Sequence, residues 1–194
     1  FDGATTITIN GTTMLVTNLR KGWSNKSVAV PVDGLIYVRT VTSGDSGTRK
    51  GDITLSAPNG LNGRLTLVAE NSIKITGHVR YARNPQTDHT STDALGLIAM
   101  EHVTVEAAAP SDLDVYAHII CRNGGFGVTN YDKGSSRGML NVYGGIVNKI
   151  RQAVGTTSPT GYRKNYVFDP RFAKDPPPSY PKVVDEFEWR EWEG

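Results

Sequence analysis

Cysteine is nearly missing from these 194 residues: Cys121 stands alone, which excludes an internal disulfide and a thiolate-rich zinc site. Preceded by Ile119-Ile120 in a strand-like run, it reads as a small core hydrophobe rather than a nucleophile. A surplus of charge is missing too. Lys and Arg number 21 against 19 Asp and Glu, a net charge of +2, so the overall balance does not mark a dedicated nucleic-acid binder. No apolar run approaches the roughly 20 residues that span a bilayer. The chain opens at Phe1 without Met or a signal segment, as expected of a piece of a longer exported protein. Helical periodicity is nearly absent. Residues 145–152 carry a trace of it, but they also continue a strand pattern and are read as strand.

What the sequence does contain is one short phrase used again and again: branched apolar, any residue, branched apolar, any residue, then Gly or Ala. It occurs at Ile7-Thr8-Ile9-Asn10-Gly11, Ile53-Thr54-Leu55-Ser56-Ala57, Leu65-Thr66-Leu67-Val68-Ala69 and Ile73-Lys74-Ile75-Thr76-Gly77. It returns at Val103-Thr104-Val105-Glu106-Ala107, Leu113-Asp114-Val115-Tyr116-Ala117 and Leu140-Asn141-Val142-Tyr143-Gly144. Period-two alternation turns one face of a strand to a core and the other to solvent. Leu65, Leu67, Ala69, Ile73 and Ile75 match Leu95, Leu97, Ala99, Val103 and Val105 at a constant offset of 30 (95 − 65). A second alignment places Ile73–Val79 against 113–119 and 140–146, which would set His78 in register with His118.

A period near 30 belongs to repeat architectures, whose units bury their apolar stripes only by stacking. The fold class expected is therefore all-β, a right-handed parallel β-helix or β-solenoid of roughly six coils and some 30 Å in length. A β-sandwich is the alternative, since it shares short alternating strands and frequent turns. The solenoid domain is assigned to residues 1–155, with 1–33 as an irregular N-terminal cap in which Trp23-Ser24-Asn25-Lys26 is a loop. Polar stretches 42–51 and 84–93 read as surface loops, and Gly124-Gly125-Phe126-Gly127 as a tight turn. From 156 to 194 the chain becomes aromatic and proline-rich. Pro176–Pro181 reads as polyproline II, and the whole segment as an extended cap over or along the rod, because a solenoid must cover its last layer. A peptide docking motif or a sugar-stacking platform is the alternative for this tail.

With Leu113, Val115, Ala117 and Ile119 inward, Asp112, Asp114, Tyr116 and His118 point outward, together with Lys74, His78, Asn141 and Tyr143 on neighbouring coils. Asp114 is expected near Asn141 or Lys74. Carboxylates, imidazoles and tyrosines on one wall form a speculative ligand-binding face of the type polysaccharide-active grooves present. No catalytic residue is assigned, because no second carboxylate pair converges on this wall. His89 and His102 lack ligand-spaced partners, Asp45 and Asp52 lack calcium-loop spacing, and no metal or cofactor is expected. Arg80, Arg83, Lys149 and Arg151 form the one basic set that DNA capture could use.

The order Gly34-Leu35-Ile36-Tyr37-Val38, Gly63-Arg64-Leu65-Thr66-Leu67-Val68-Ala69, Ile73-Lys74-Ile75-Thr76-Gly77-His78-Val79-Arg80-Tyr81 and Ala94-Leu95-Gly96-Leu97-Ile98-Ala99 continues through residues 138–147. It ends with Gly161-Tyr162, Tyr166, Phe168-Asp169-Pro170-Arg171 and Pro176-Pro177. Over residues 34–181 this resembles an uncharacterised bacterial family of PilX-like, prepilin-type surface proteins, in which a hydrophobic N-terminal helix precedes a repetitive β domain. The resemblance implies export, display at the bacterial cell surface, and partners among type IV pilus or envelope proteins. It carries over no catalytic residues. The function expected is a non-catalytic structural or adhesive surface module. The alternatives are a carbohydrate-binding or polysaccharide-degrading β-helix protein acting on extracellular glycans, and DNA capture at a pilus tip.

Overall fold

The computed structural model describes residues 1–158 and 160–181. Among them the chain is all-β, and its thirteen strands share one continuous sheet that curls into an open half-barrel. In chain order they are β1 (Thr5–Asn10), β2 (Thr13–Asn18), β3 (Trp23–Ala29), β4 (Leu35–Val38), β5 (Ile53–Leu61), β6 (Arg64–Ala69) and β7 (Ile73–Tyr81). There follow β8 (Ala94–Ala99), β9 (Val103–Val105), β10 (Leu113–Cys121), β11 (Phe126–Val128), β12 (Ser136–Asn148) and β13 (Gly161–Phe168). Among the described residues helix is confined to the four residues Ser46–Arg49 and to 3-10 turns at Leu19–Lys21 and Pro170–Ala173.

The alternating apolar residues of every copy of the repeated phrase lie on a strand, and most strand pairs are parallel. The thirty-residue offset is realised residue for residue: Leu65 pairs with Leu95, Leu67 with Leu97 and Ala69 with Ala99 across β6 and β8. Ile73 and Ile75 likewise pair with Val103 and Val105 across β7 and β9. These side chains have no exposed surface, and they stack as apolar ladders between neighbouring strands. The offset of 27 between Leu113 and Leu140 is realised as well, from Leu113–Leu140 to Cys121–Asn148 along β10 and β12. Long strands change neighbours part-way. The first half of β7 lies on β9, whereas Val79 in its second half pairs with Val115 of β10. The far end of β10 pairs instead with β8, His118 opposite Gly96. This change of partner joins all the strands into one sheet, unlike the two separate sheets of a sandwich.

Several expectations are corrected. The alignment of Ile73 with Leu113 fails, because the offset between β7 and β10 is 36 (115 − 79) rather than 40. His78 and His118 therefore do not share a register position. Trp23-Ser24-Asn25-Lys26 is not a loop but the start of β3, and residues 1–33 form an antiparallel meander, β1–β2–β3, joined in parallel to β5 through β1. Its outer strand presents exposed Ser24, Asn25, Lys26 and Ser27, the polar dressing that discourages pairing at a sheet edge. Phe126 and Gly127 of the supposed tight turn belong to β11. Gly161–Phe168 is a further strand in parallel register with β12. Beyond it, Pro176–Pro181 is not a continuous polyproline helix. It folds through a turn in which the Tyr180 amide donates to the Pro177 carbonyl at 3.1 Å and Ser179 takes a φ of +55°. The rest of the supposed cap, residues 182–194, lies outside the described residues.

The turn-forming small residues have a steric cause at Gly144. It sits at a φ of +153°, and a Cβ there would collide with the Ala117 carbonyl of β10. At this position only glycine lets the two backbones approach.

Leu97 occupies the middle of a ladder between β6 and β10 and is fully buried. Leu97→Ala is expected to cost about 2–5 kcal/mol in denaturant unfolding. Val32→Ala, at a fully exposed position, should stay within about 0.5 kcal/mol of the parent.

Candidate functional site

The outward wall expected of β7, β10 and β12 exists, but its polar groups are turned on one another. Asp114 lies at the centre. Its Oδ2 accepts from Arg80 Nε at 2.8 Å and its Oδ1 from Asn141 Nδ2 at 3.0 Å. Asn165 Nδ2 donates in turn to Asn141 Oδ1 at 2.9 Å, so one polar ladder crosses β7, β10, β12 and β13. His78 Nδ1 lies 3.2 Å from the Asp114 backbone amide, and its Nε2 lies 3.3 Å from Arg80 Nη2. Burial and the neighbouring Arg80 guanidinium hold the His78 imidazole below its ordinary pKa.

The remaining predicted site residues are dispersed around this ladder. Asp112 is exposed at a φ of +53°, and its carboxylate accepts the Met139 amide at 2.8 Å. Lys74 does not reach Asp114; it pairs with Asp52 at 2.8 Å on the other half of β7. Tyr116 stands between Tyr81 and Tyr143, each at a ring separation of 5.8 Å, and Tyr143 is buried rather than presented to solvent. Arg80 and Arg83 of the basic set are paired, with Asp114 and Asp88 respectively, while Lys149 and Arg151 are exposed just beyond the end of β12.

His118 departs furthest from the expectation. The segment after β13 folds over it, and the ring of Phe172 stacks on the imidazole at 3.3 Å and 15°, with Phe168 and Tyr180 edge-on at 5.9 and 6.0 Å. Among the described residues its Nε2 is buried without a hydrogen-bond partner. This burial pushes the imidazole pKa down to about 4; Asp169 pulls upward and Arg171 downward more weakly. His118 thus forms the floor of an apolar cleft of about 470 Å³, walled by Ile146, Val147, Phe168, Phe172 and Pro181. Gly96 opposite His118 makes room for this cover, since a Cβ there would come within 2.6 Å of the Tyr180 ring.

An ion pair holds the cover in place. Asp169, with no exposed surface, receives Arg171 Nε at 2.9 Å, and Arg171 also donates to the carbonyls of Ser91 at 2.7 Å and Asp93 at 3.2 Å. Further along, Arg64 grips both Asp175 carboxylate oxygens at 2.7 Å, and Thr66 donates to the Pro178 carbonyl at 2.5 Å. Sequence reasoning passed over Asp169, Arg171 and Phe172 as functional positions. A local signal was present: Asp followed by Pro is the N-cap and N1 pairing that starts a helical turn, and Pro170–Ala173 is that turn.

The wall therefore offers a cross-strand polar ladder and a covered imidazole. Among the described residues no group of three or more His, Cys, Asp or Glu side chains converges on a metal-sized point. Nor is any helix there long and apolar enough to cross a membrane.

Because the folded pKa of His118 lies below the ordinary value of about 6.5, the unfolded chain binds the extra proton between these limits. Stability contributed by His118 is complete above pH 6.5 and is lost as pH falls toward 4. Thermal melts across that range should show a smaller acid-side loss in His118→Phe than in the parent; the difference isolates His118 from His78, which shifts the same way. Arg171→Ala strands the buried Asp169 carboxylate and is expected to cost about 3–5 kcal/mol. In limited proteolysis it should be cut first within residues 174–181.

Comparison of the chain with protein-family models, with curated proteins and with solved structures returned no match.

Proposed function

We propose that this chain is a rod-like, right-handed parallel β-helix serving as a non-catalytic structural or adhesive module. Its setting is the surface of a bacterium, as part of an exported pilus-associated or envelope protein whose partners are other envelope components. The parallel registers at offsets of 30 and 27 support the rod. The right hand follows from the strong preference of parallel crossovers for that sense. The resemblance to prepilin-type surface proteins supports the setting.

One observation carries the non-catalytic reading. Both carboxylate oxygens of Asp114, the best-placed acid on the wall, are committed to Arg80 and Asn141 within a ladder across four strands. A general acid or base must present a lone pair or proton to substrate, whereas both Asp114 oxygens are already engaged by groups on neighbouring strands. Stacked polar ladders of this kind hold register and solubilise a long sheet face.

Purified chain incubated with panels of neutral and uronic polysaccharides is expected to release no reducing ends or unsaturated products. Turnover that disappears in Asp114→Asn would overturn the reading in favour of a polysaccharide-active enzyme. The same substitution should instead lower the melting temperature, as expected when a hydrogen-bonded charge pair is broken.

A further inference from the structure

The strand order of the sheet begins at β3 and ends at β4, and these two strands border one open hollow of about 300 Å³. Trp23 and Val28 of β3 line one side, Leu35 and Tyr37 of β4 the other, and Phe1 and Met14 complete the lining. Local structure fixes the first side. Asn18, fully buried, caps the turn Leu19–Lys21 by accepting the Lys21 amide at 2.9 Å, and its side-chain amide donates to Thr5 Oγ1 at 2.8 Å. Gly22 then takes a φ of +64°, and Trp23 meets the Phe1 ring edge-on at 5.7 Å. Lys26 stands opposite buried Val16, and Val28 opposite buried Met14, so both lie on the core side of β3. On the far side Tyr37 is 46% exposed.

Two cations stand at these rings. Lys21 Nζ lies 5.1 Å from the centre of the Trp23 ring and 5.4 Å from that of Phe1, and Lys26 Nζ lies 4.5 Å from that of Trp23. Both lysines are exposed, and neither forms an ion pair among the described residues. The acids beside the lining residues are engaged elsewhere: Asp2 by Arg39 at 3.0 Å, and Glu70 by the Tyr37 hydroxyl and the Thr40 amide. The hollow thus joins flat apolar surface to positive charge that nothing neutralises. An exposed ring holds a cation only weakly, so the flexible lysine stems are free to turn to a carboxylate and form charge-assisted hydrogen bonds. A uronic acid offers both complements, a C–H face for the rings and a carboxylate at the ring edge. A nucleic-acid strand fits less well, because its charge repeats at every phosphate and two lysines leave most of it unmatched. A second copy would bring the same two lysines against themselves. We propose that this hollow binds an acidic glycan, with a uronic acid ring against Trp23 and Tyr37 and its carboxylate on Lys21 and Lys26. This names the ligand class of the adhesive module proposed above and rests on that reading.

Isothermal titration of the full chain with oligogalacturonate tests this, with the carboxyl-reduced oligomer as the neutral control. The acid is expected to bind, less tightly as salt rises, and the reduced oligomer to bind at least about tenfold more weakly. Lys21→Glu and Lys26→Glu should each weaken binding of the acid about tenfold, whereas Lys26→Arg, which keeps the charge, should retain it. Near-UV circular dichroism verifies that each variant is folded; Lys21→Gln and Lys26→Gln replace any that is not. Failure of the acid to bind, equal binding of the reduced oligomer, or indifference to both lysine substitutions would overturn the proposal and leave adhesion through another face standing. Equally tight binding of dextran sulfate or single-stranded DNA, lost in the same variants, would mean an unselective polyanion surface and overturn it too. Cleavage of the oligomer during the titration would end the non-catalytic reading, and the proposal with it.

Discussion

Everything in this molecule depends on one requirement: an apolar layer on one strand is buried only if another strand stacks on it. Leu67 has no surface because Leu97 lies beside it, and Leu97 has none because Ile119 follows on the other side. Among the described residues helix contributes only a few single turns, so no second kind of layer covers the core there. Burial is accordingly passed along the sheet from neighbour to neighbour. Each end of the stack then needs its own solution. At the start, the antiparallel β2 and β3 close over β1 with a polar outer strand. At the finish, β13 adds a layer whose aromatics stay largely uncovered by residues up to Pro181.

The same stacking explains the outward wall. Strands 4.8 Å apart bring identical outward positions within hydrogen-bond reach, so Asp114, Asn141 and Asn165 find one another before they meet any ligand. A wall that resembles a catalytic groove in one dimension becomes a register-holding ladder in three. The covered His118 belongs to the same logic. Its position on β10 was outward, but the returning C-terminal segment, fixed by Arg171 and by Arg64, turned that outside into an inside.

Much of the fold could be read directly. The offsets of 30 and 27 emerged as strand pairs because alternation of branched residues is a local property, and a parallel stack repeats it without distortion. The alignment of Ile73 with Leu113 failed for an equally physical reason. β7 and β10 change partners along their length, so similar phrases on two strands need not lie side by side. Trp23–Ala29 escaped notice because none of its positions is fully buried and its polar residues are many, a composition suited to an edge. Lys74 was misassigned because β7, nine residues long, pairs with β5, β9 and β10 along its length, and Lys74 lies in the half beside β9.

The sequence by itself determined the all-β class, the inward ladders and the solvent-facing alternation, since these follow from residue type and a period of two. Only the tertiary structure decided that Asp114 is engaged by Arg80 and Asn141, that His118 is roofed by Phe172, and that β13 joins the sheet in parallel beside β12. Such facts hinge on which distant segments return to a given strand, and chain return is set by loop paths and packing that no local pattern encodes.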